Sequence, residues 1–128
     1  MEIKFGVVFP TRDFNYVLDT CKGLLELAKC PNSISQTFNI VSNFEISFGD
    51  TLDLIKKLMN SDVKFITETV RSRPNKSGVF RLWCDNSLIN KLTAFKPEFS
   101  IEAVLKETID WFLDPTNLCN YKSDVYNT

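Results

Sequence analysis

Runs of strand length alternate with stripes of helical spacing along this chain, and that alternation restricts it to a mixed α/β fold. Residues 3–9, IKFGVVF, are β-branched and aromatic and end at Pro10, as a short strand does. Val17, Cys21, Leu24, Leu25 and Ala28 recur at helical spacing between a capping Asn15 and the Cys30-Pro31 stop. They predict a helix over 17–29 with that stripe buried. The nearly all-apolar run TFNIV at 37–41 predicts a strand in a sheet covered on both sides. Ser47 and Asp50 form a capping pair for a helix with the stripe Phe48, Leu52, Ile55 and Met59, which Asn60 closes. Strands are expected at 63–69 and 79–83, then a short helix through Leu92 capped by Asp85 or Asn86. Ser100 begins the last helix, striped by Ile101, Leu105, Thr108, Ile109 and Phe112 and stopped at Asp114-Pro115. The tail from Thr116 has no clear period.

At 128 residues, 44% apolar and with 11 Phe, the chain is one domain's worth of globular sequence, with one core expected. The aromatic residues Phe14, Phe38, Phe48, Trp83 and Trp111 are assigned to that core. Fifteen basic and sixteen acidic side chains leave a net charge of -1, so no overall field draws the chain to nucleic acid or anionic lipid. Any anion site must be local. The absence of histidine removes the usual general base, the usual zinc ligand and every Ser-His or Cys-His nucleophile. Cys21, Cys30, Cys84 and Cys119 show no metal-binding spacing and no secretory leader precedes them, so they are expected as buried, reduced thiols of a soluble cytoplasmic protein. No apolar run is long enough to cross a bilayer. Gly6, Gly23, Gly49 and Gly78 stand far apart, so neither the dinucleotide fingerprint nor a P-loop is present, and no Tyr is followed by Lys four residues on.

Four segments in order carry a resemblance. They are PTRDFNYVLDT from Pro10, FNIVSNFEISFGDTLDLI from Phe38, RSRPNKS from Arg71, and the stretch from Val79 through RLWCDNS to KPEFSIEAVLKETIDWF. Together they resemble the C-terminal part of extended short-chain dehydrogenases/reductases, the NAD-dependent nucleotide-sugar epimerase and 4,6-dehydratase family. The signatures are R-D-[FWY]-x-[YH]-V followed by Asp, N-I-G-x-G before a capped helix, an R-P segment, and a closing D-x-S-K…L-G-[FW]-x-P-x-[YF]-[ST]-L-E-x-G-[LI] stretch. The resemblance implies a small mixed α/β substrate-binding lobe spanning 1–128 as a single unit, without the dinucleotide-binding half. It also implies that Arg12 and Arg73 reach the pyrophosphate of a nucleotide sugar, with Lys76 adding a point charge. A guanidinium fork meets two phosphate oxygens at once, so two convergent arginines make a suitable clamp. Without the resemblance, Arg12 is a surface partner of Asp13 and Arg73 a solvated charge.

The sequence departs from the family pattern where N-I-G-x-G reads Asn39-Ile40-Val41-Ser42-Asn43, which predicts an altered turn. Ala103 replaces the Glu that completes a capping box. The expected chain is therefore a truncated, lyase-like relative that holds no cofactor of its own, NAD belonging to the intact family, and has no catalytic residue. Its expected partners are a weakly held nucleotide sugar and either a complementary cofactor-binding half or another copy of itself. The alternative is a non-catalytic interaction module, or a gene remnant, that keeps the fold.

Overall fold

A computed structural model describes residues 2–68, 79–119 and 121. Helix α1 spans Val17–Lys29, the range its spacing predicts, although its cap differs. Tyr16 occupies the N-cap position without a side-chain bond. The Asn15 amide instead donates to Thr20 Oγ1 at 2.6 Å and to the Ile40 carbonyl at 3.1 Å, tying the helix start to the 37–41 run. Helix α2, Phe48–Leu58, is capped by Ser47, whose Oγ accepts from Asp50 N at 3.0 Å. Asn60 follows it with a left-handed φ of 46°, a conformation Asn tolerates. Helix α3, Ser87–Leu92, has Asn86 at its N-cap position without a side-chain cap bond, while the Asp85 carboxylate before it accepts from Ser87 N at 2.8 Å. The Asn86 side chain is buried and donates instead to the Val41 carbonyl at 3.0 Å. Helix α4, Ile101–Leu113, starts on Ser100, whose Oγ accepts from Ala103 N at 3.2 Å, and a short α5, Pro115–Leu118, follows it.

Two small sheets accompany the helices among the described residues. Strand β1, Glu2–Phe5, pairs in parallel with β4, Lys64–Thr67, and Phe5 meets Phe65 edge-on at 5.4 Å. In the other sheet β2, Thr11–Asp13, lies between β3, Glu45–Ser47, and β5, Arg81–Leu82. Its register is Thr11↔Ser47 and Asp13↔Glu45 antiparallel on one side, and Thr11↔Arg81 parallel on the other. β1 is shorter than the run at 3–9 because the chain leaves it after Phe5 and re-enters a sheet only at Thr11. Among the described residues the fully or nearly buried apolar side chains are Val63, Ile89 and Phe95, a smaller core than the composition suggests.

The sequence reading requires three corrections. The run at 37–41 forms no strand. Two of its carbonyls are taken by side-chain amides, Ile40 by Asn15 and Val41 by Asn86, and it pairs with no described strand. The stripe of α1 is not buried: Val17, Leu24 and Leu25 are 61%, 57% and 61% exposed. Its buried positions are Asp19 and Gly23. Gly23 is needed there because a Cβ would stand 2.5 Å from Ile40 Cγ2, so a side chain would push the 37–41 run off the helix. The third correction concerns side chains assigned to the interior. Phe14, Trp83 and Trp111 are exposed, as are Cys21, Cys84 and Cys119, while Cys30 is half-buried and donates to the Leu92 carbonyl. These groups lie on faces that the described chain does not itself cover.

Candidate functional site

The site builds outward from β2, where strand alternation sends Arg12 to one face and Thr11 and Asp13 to the other. Arg12 lies in register with Ile46 on β3 and Leu82 on β5. Its guanidinium donates to the Thr11 carbonyl at 2.6 Å and the Val79 carbonyl at 2.9 Å, and its Cζ sits 5.3 Å from the centre of the Phe48 ring. A cation over that ring is held by its quadrupole, which fixes the side chain's direction.

Asp13 is not its partner. The Asp13 carboxylate accepts from Ser42 N at 3.1 Å, Ser42 Oγ at 2.5 Å and Asn43 N at 3.0 Å. These bonds hold the turn at 42–43, in which Asn43 takes a left-handed φ of 60°. Asn is among the few side-chain-bearing residues that accept this conformation, so the turn keeps a left-handed residue although the sequence has lost its glycines. Val41 is outside that region of backbone space, since the positive-φ residues described are Ser35, Asn43 and Asn60.

Arg73 and Lys76 lie outside the described residues, so no geometry joins them to Arg12 here. The segment that carries them returns at Val79, whose carbonyl accepts from Arg12.

On the opposite face of β2 stands a cluster that reading the sequence missed. Arg81 donates through Nε and Nη2 to the two carboxylate oxygens of Glu45, each at 2.8 Å, while Thr11 Oγ1 donates to Glu45 Oε1 at 2.5 Å. The Arg81 guanidinium also sits 5.3 Å from the Trp83 ring centre. No local spacing could have revealed this, because Glu45 and Arg81 meet only across β2 once the register is set. The hydrogen bonds from Arg81, then that from Thr11, hold the Glu45 carboxyl down at about 2 against an ordinary 4.5. A depressed carboxyl stabilises the fold above its unfolded value, and that contribution is lost as pH falls through the folded value. The midpoint of thermal unfolding should therefore decline between pH 4.5 and pH 2 more steeply in the parent than in Glu45→Gln. Parallel curves for the two proteins would show that this cluster is not formed in solution.

Beside the turn at 42–43, Phe14, Tyr16, Ser42, Phe44 and Phe99 line a cavity of about 450 Å³, within the usual range for a small-molecule pocket. The Tyr16 hydroxyl donates to Glu107 on α4, which raises its pKa, and its ring meets Phe99 edge-on at 4.8 Å. The described starts of α1 and α2 offer no turn that fits a dinucleotide. Helix α1 begins after Asn15-Tyr16 and α2 after Ser47, and neither turn is the glycine-rich approach that a pyrophosphate needs. Among the described residues no group of His, Cys, Asp or Glu could hold a metal ion, and no helix is long and apolar enough to cross a membrane.

No protein-family model matches the chain. In sequence it is 31% identical over 104 residues to an uncharacterised protein of Methanocaldococcus jannaschii, covering 80% of this chain and 30% of that protein. In structure it is similar to an epimerase of Methanothermobacter thermautotrophicus, with a TM-score of 0.77 at 22% identity, over 93% of this chain and 34% of the epimerase. It is also similar to the UDP-glucuronic acid 4-epimerase of Bacillus cereus in complex with UDP-glucuronic acid and NAD. There the TM-score is 0.74 at 24% identity, over 88% of this chain and 34% of the enzyme. The chain thus spans about a third of the length of the proteins it matches. It has the mixed α/β fold of that portion of the NAD-dependent epimerases and dehydratases, the extended short-chain dehydrogenases/reductases.

Proposed function

We propose that residues 1–128 are a single nucleotide-sugar-binding lobe in which Arg12, Arg73 and Lys76 hold a pyrophosphate, while NAD and the reacting groups belong to polypeptide outside these residues. The observation that carries this reading is the hydrogen bond from Arg12 to the Val79 carbonyl. It sets a guanidinium held by an aromatic ring where the segment bearing Arg73 and Lys76 rejoins β5. A pyrophosphate offers many acceptor oxygens, and a donor already fixed in direction, as Arg12 is, binds it at a lower ordering cost. The likeness to an enzyme whose structure contains UDP-glucuronic acid supports the choice of ligand class.

The lobe alone should bind weakly. Charge-assisted hydrogen bonds contribute about 1.5–3 kcal/mol each, which for an incomplete site corresponds to a dissociation constant of roughly 1 mM. Titration of the full chain with UDP, followed by amide chemical shifts, should move residues 11–13 and 79–82. Arg12→Ala should abolish those shifts while the remaining spectrum stays dispersed. If both proteins titrate alike, or neither segment moves at several millimolar UDP, the nucleotide reading is wrong.

A further inference from the structure

We propose that Phe48, braced by Phe14, is a positioning residue that aims the Arg12 guanidinium at phosphate, a role that rests on the nucleotide reading of Arg12. Phe48 is the first residue of α2, and two main-chain bonds fix where its ring stands. Phe48 N donates to the Pro10 carbonyl at 3.1 Å and Gly49 N to the Val8 carbonyl at 2.8 Å. The helix start is thereby locked to the segment that leads into β2, on which Arg12 lies. From there the ring centre stands 5.3 Å from Arg12 Cζ, and Phe14 meets the same ring edge-on at 6.1 Å. Phe48 is half-buried, so this cation–π contact is partly withdrawn from water and stronger than one at a fully exposed site.

Arg12 depends on such a hold because no carboxylate supplies one. Its neighbour Asp13 is taken by Ser42 and Asn43, and Glu45 on β3 is taken by Arg81 and Thr11. The groups that bind Arg12 are the neutral carbonyls of Thr11 and Val79, one on each terminal nitrogen. Its charge is therefore uncompensated among the described residues, and the rest of its N–H groups have no described partner. A carboxylate in this place would occupy the fork that a phosphate needs. An aromatic face fixes the side chain and leaves its charge and its N–H groups to an anion. The ordering that a loose arginine undergoes on binding is thus already in place. Leucine at position 48 would fill similar space without a quadrupole, whereas tyrosine would keep the ring.

The test compares the full chain with Phe48→Leu and Phe48→Tyr, with Phe48→Met in reserve should the leucine variant fail to fold. Two quantities are followed: the Arg12 side-chain proton resonances of the free proteins, and titrations with UDP and with inorganic pyrophosphate. In the parent and in Phe48→Tyr the ring current should shift the Arg12 protons upfield, and in Phe48→Leu they should return toward the position of a solvated arginine. Phe48→Leu should bind both ligands about three- to tenfold more weakly, and Phe48→Tyr within about twofold of the parent. Affinities are measured well below every thermal midpoint, so a loss of stability alone leaves them unchanged. Arg12 resonances that are the same in the parent and in Phe48→Leu overturn the proposal, and so does a Phe48→Leu chain that binds as the parent does. In both cases a parent that titrates at Arg12 leaves the nucleotide reading standing. A parent that binds neither UDP nor pyrophosphate removes the site itself, and the positioning role with it, even where the Arg12 protons are shifted.

Discussion

Replacing Phe95 with alanine is expected to lower the unfolding free energy by about 4 kcal/mol, equivalent to a fall of about 15 °C in the thermal midpoint. Phe95 and Ile89 are the two fully buried apolar side chains described, so a cavity at Phe95 removes a large share of a small core. The loop holds its place from both sides. Thr93 Oγ1 accepts from Phe95 N at 3.1 Å and donates to the Ile89 carbonyl at 2.7 Å, closing α3 just before the ring enters the interior. With so much of the loop anchored, collapse around the void is restricted and the cost stays near the upper part of the usual range. Denaturant unfolding should show Phe95→Leu losing less, and Leu113→Ala, which alters an exposed side chain, changing stability by less than about 0.5 kcal/mol. A loss below about 1 kcal/mol for Phe95→Ala would mean that this loop does not close the core.

The second large effect is expected at Asp19, 1% exposed in the first turn of α1. Its carboxylate accepts from Glu98 N at 3.0 Å and Phe99 N at 3.3 Å, so a buried charge binds the loop before α4 to the helix. Asp19→Ala leaves both backbone donors without that acceptor, at a cost of about 3 kcal/mol. Asp19→Asn keeps one acceptor oxygen but turns an amide N–H toward the other donor, so it should fall between the two. The exposed Asp53→Ala should be near neutral. Because Phe95 and Asp19 anchor the same loop, the double variant should lose less than the sum of the singles. Equal effects from Asp19→Ala and Asp53→Ala in denaturant unfolding would show that the buried acceptor is not formed.

Local signals were legible in α1, α2 and α4, but not in the one-turn α5 that Asp114 caps. The ends of α1 followed from its spacing and the Cys30-Pro31 stop, and the starts of α2 and α4 from Ser47 and Ser100, whose caps bind amides three residues away. The order of motifs also carried the fold, since the solved epimerases match most of the chain. The site was legible only in part. Arg12 could be named from its motif, but its neighbour Asp13 suggested an ion pair that strand alternation prevents: adjacent residues on β2 face opposite ways.

The sequence by itself determined helices α1 to α4, the serine caps of α2 and α4 and the mixed α/β class, because each rests on interactions within a few residues. Only the tertiary structure decided that 37–41 forms no strand, that the apolar stripe of α1 is exposed, and that Glu45 meets Arg81. Apolar periodicity says that a face avoids water, but not what covers it. A run of strand residues becomes a strand only when another edge lies within hydrogen-bonding reach. Here side-chain amides hold two of the carbonyls of the 37–41 run, and the buried side of α1 is the one that carries a carboxylate and a glycine.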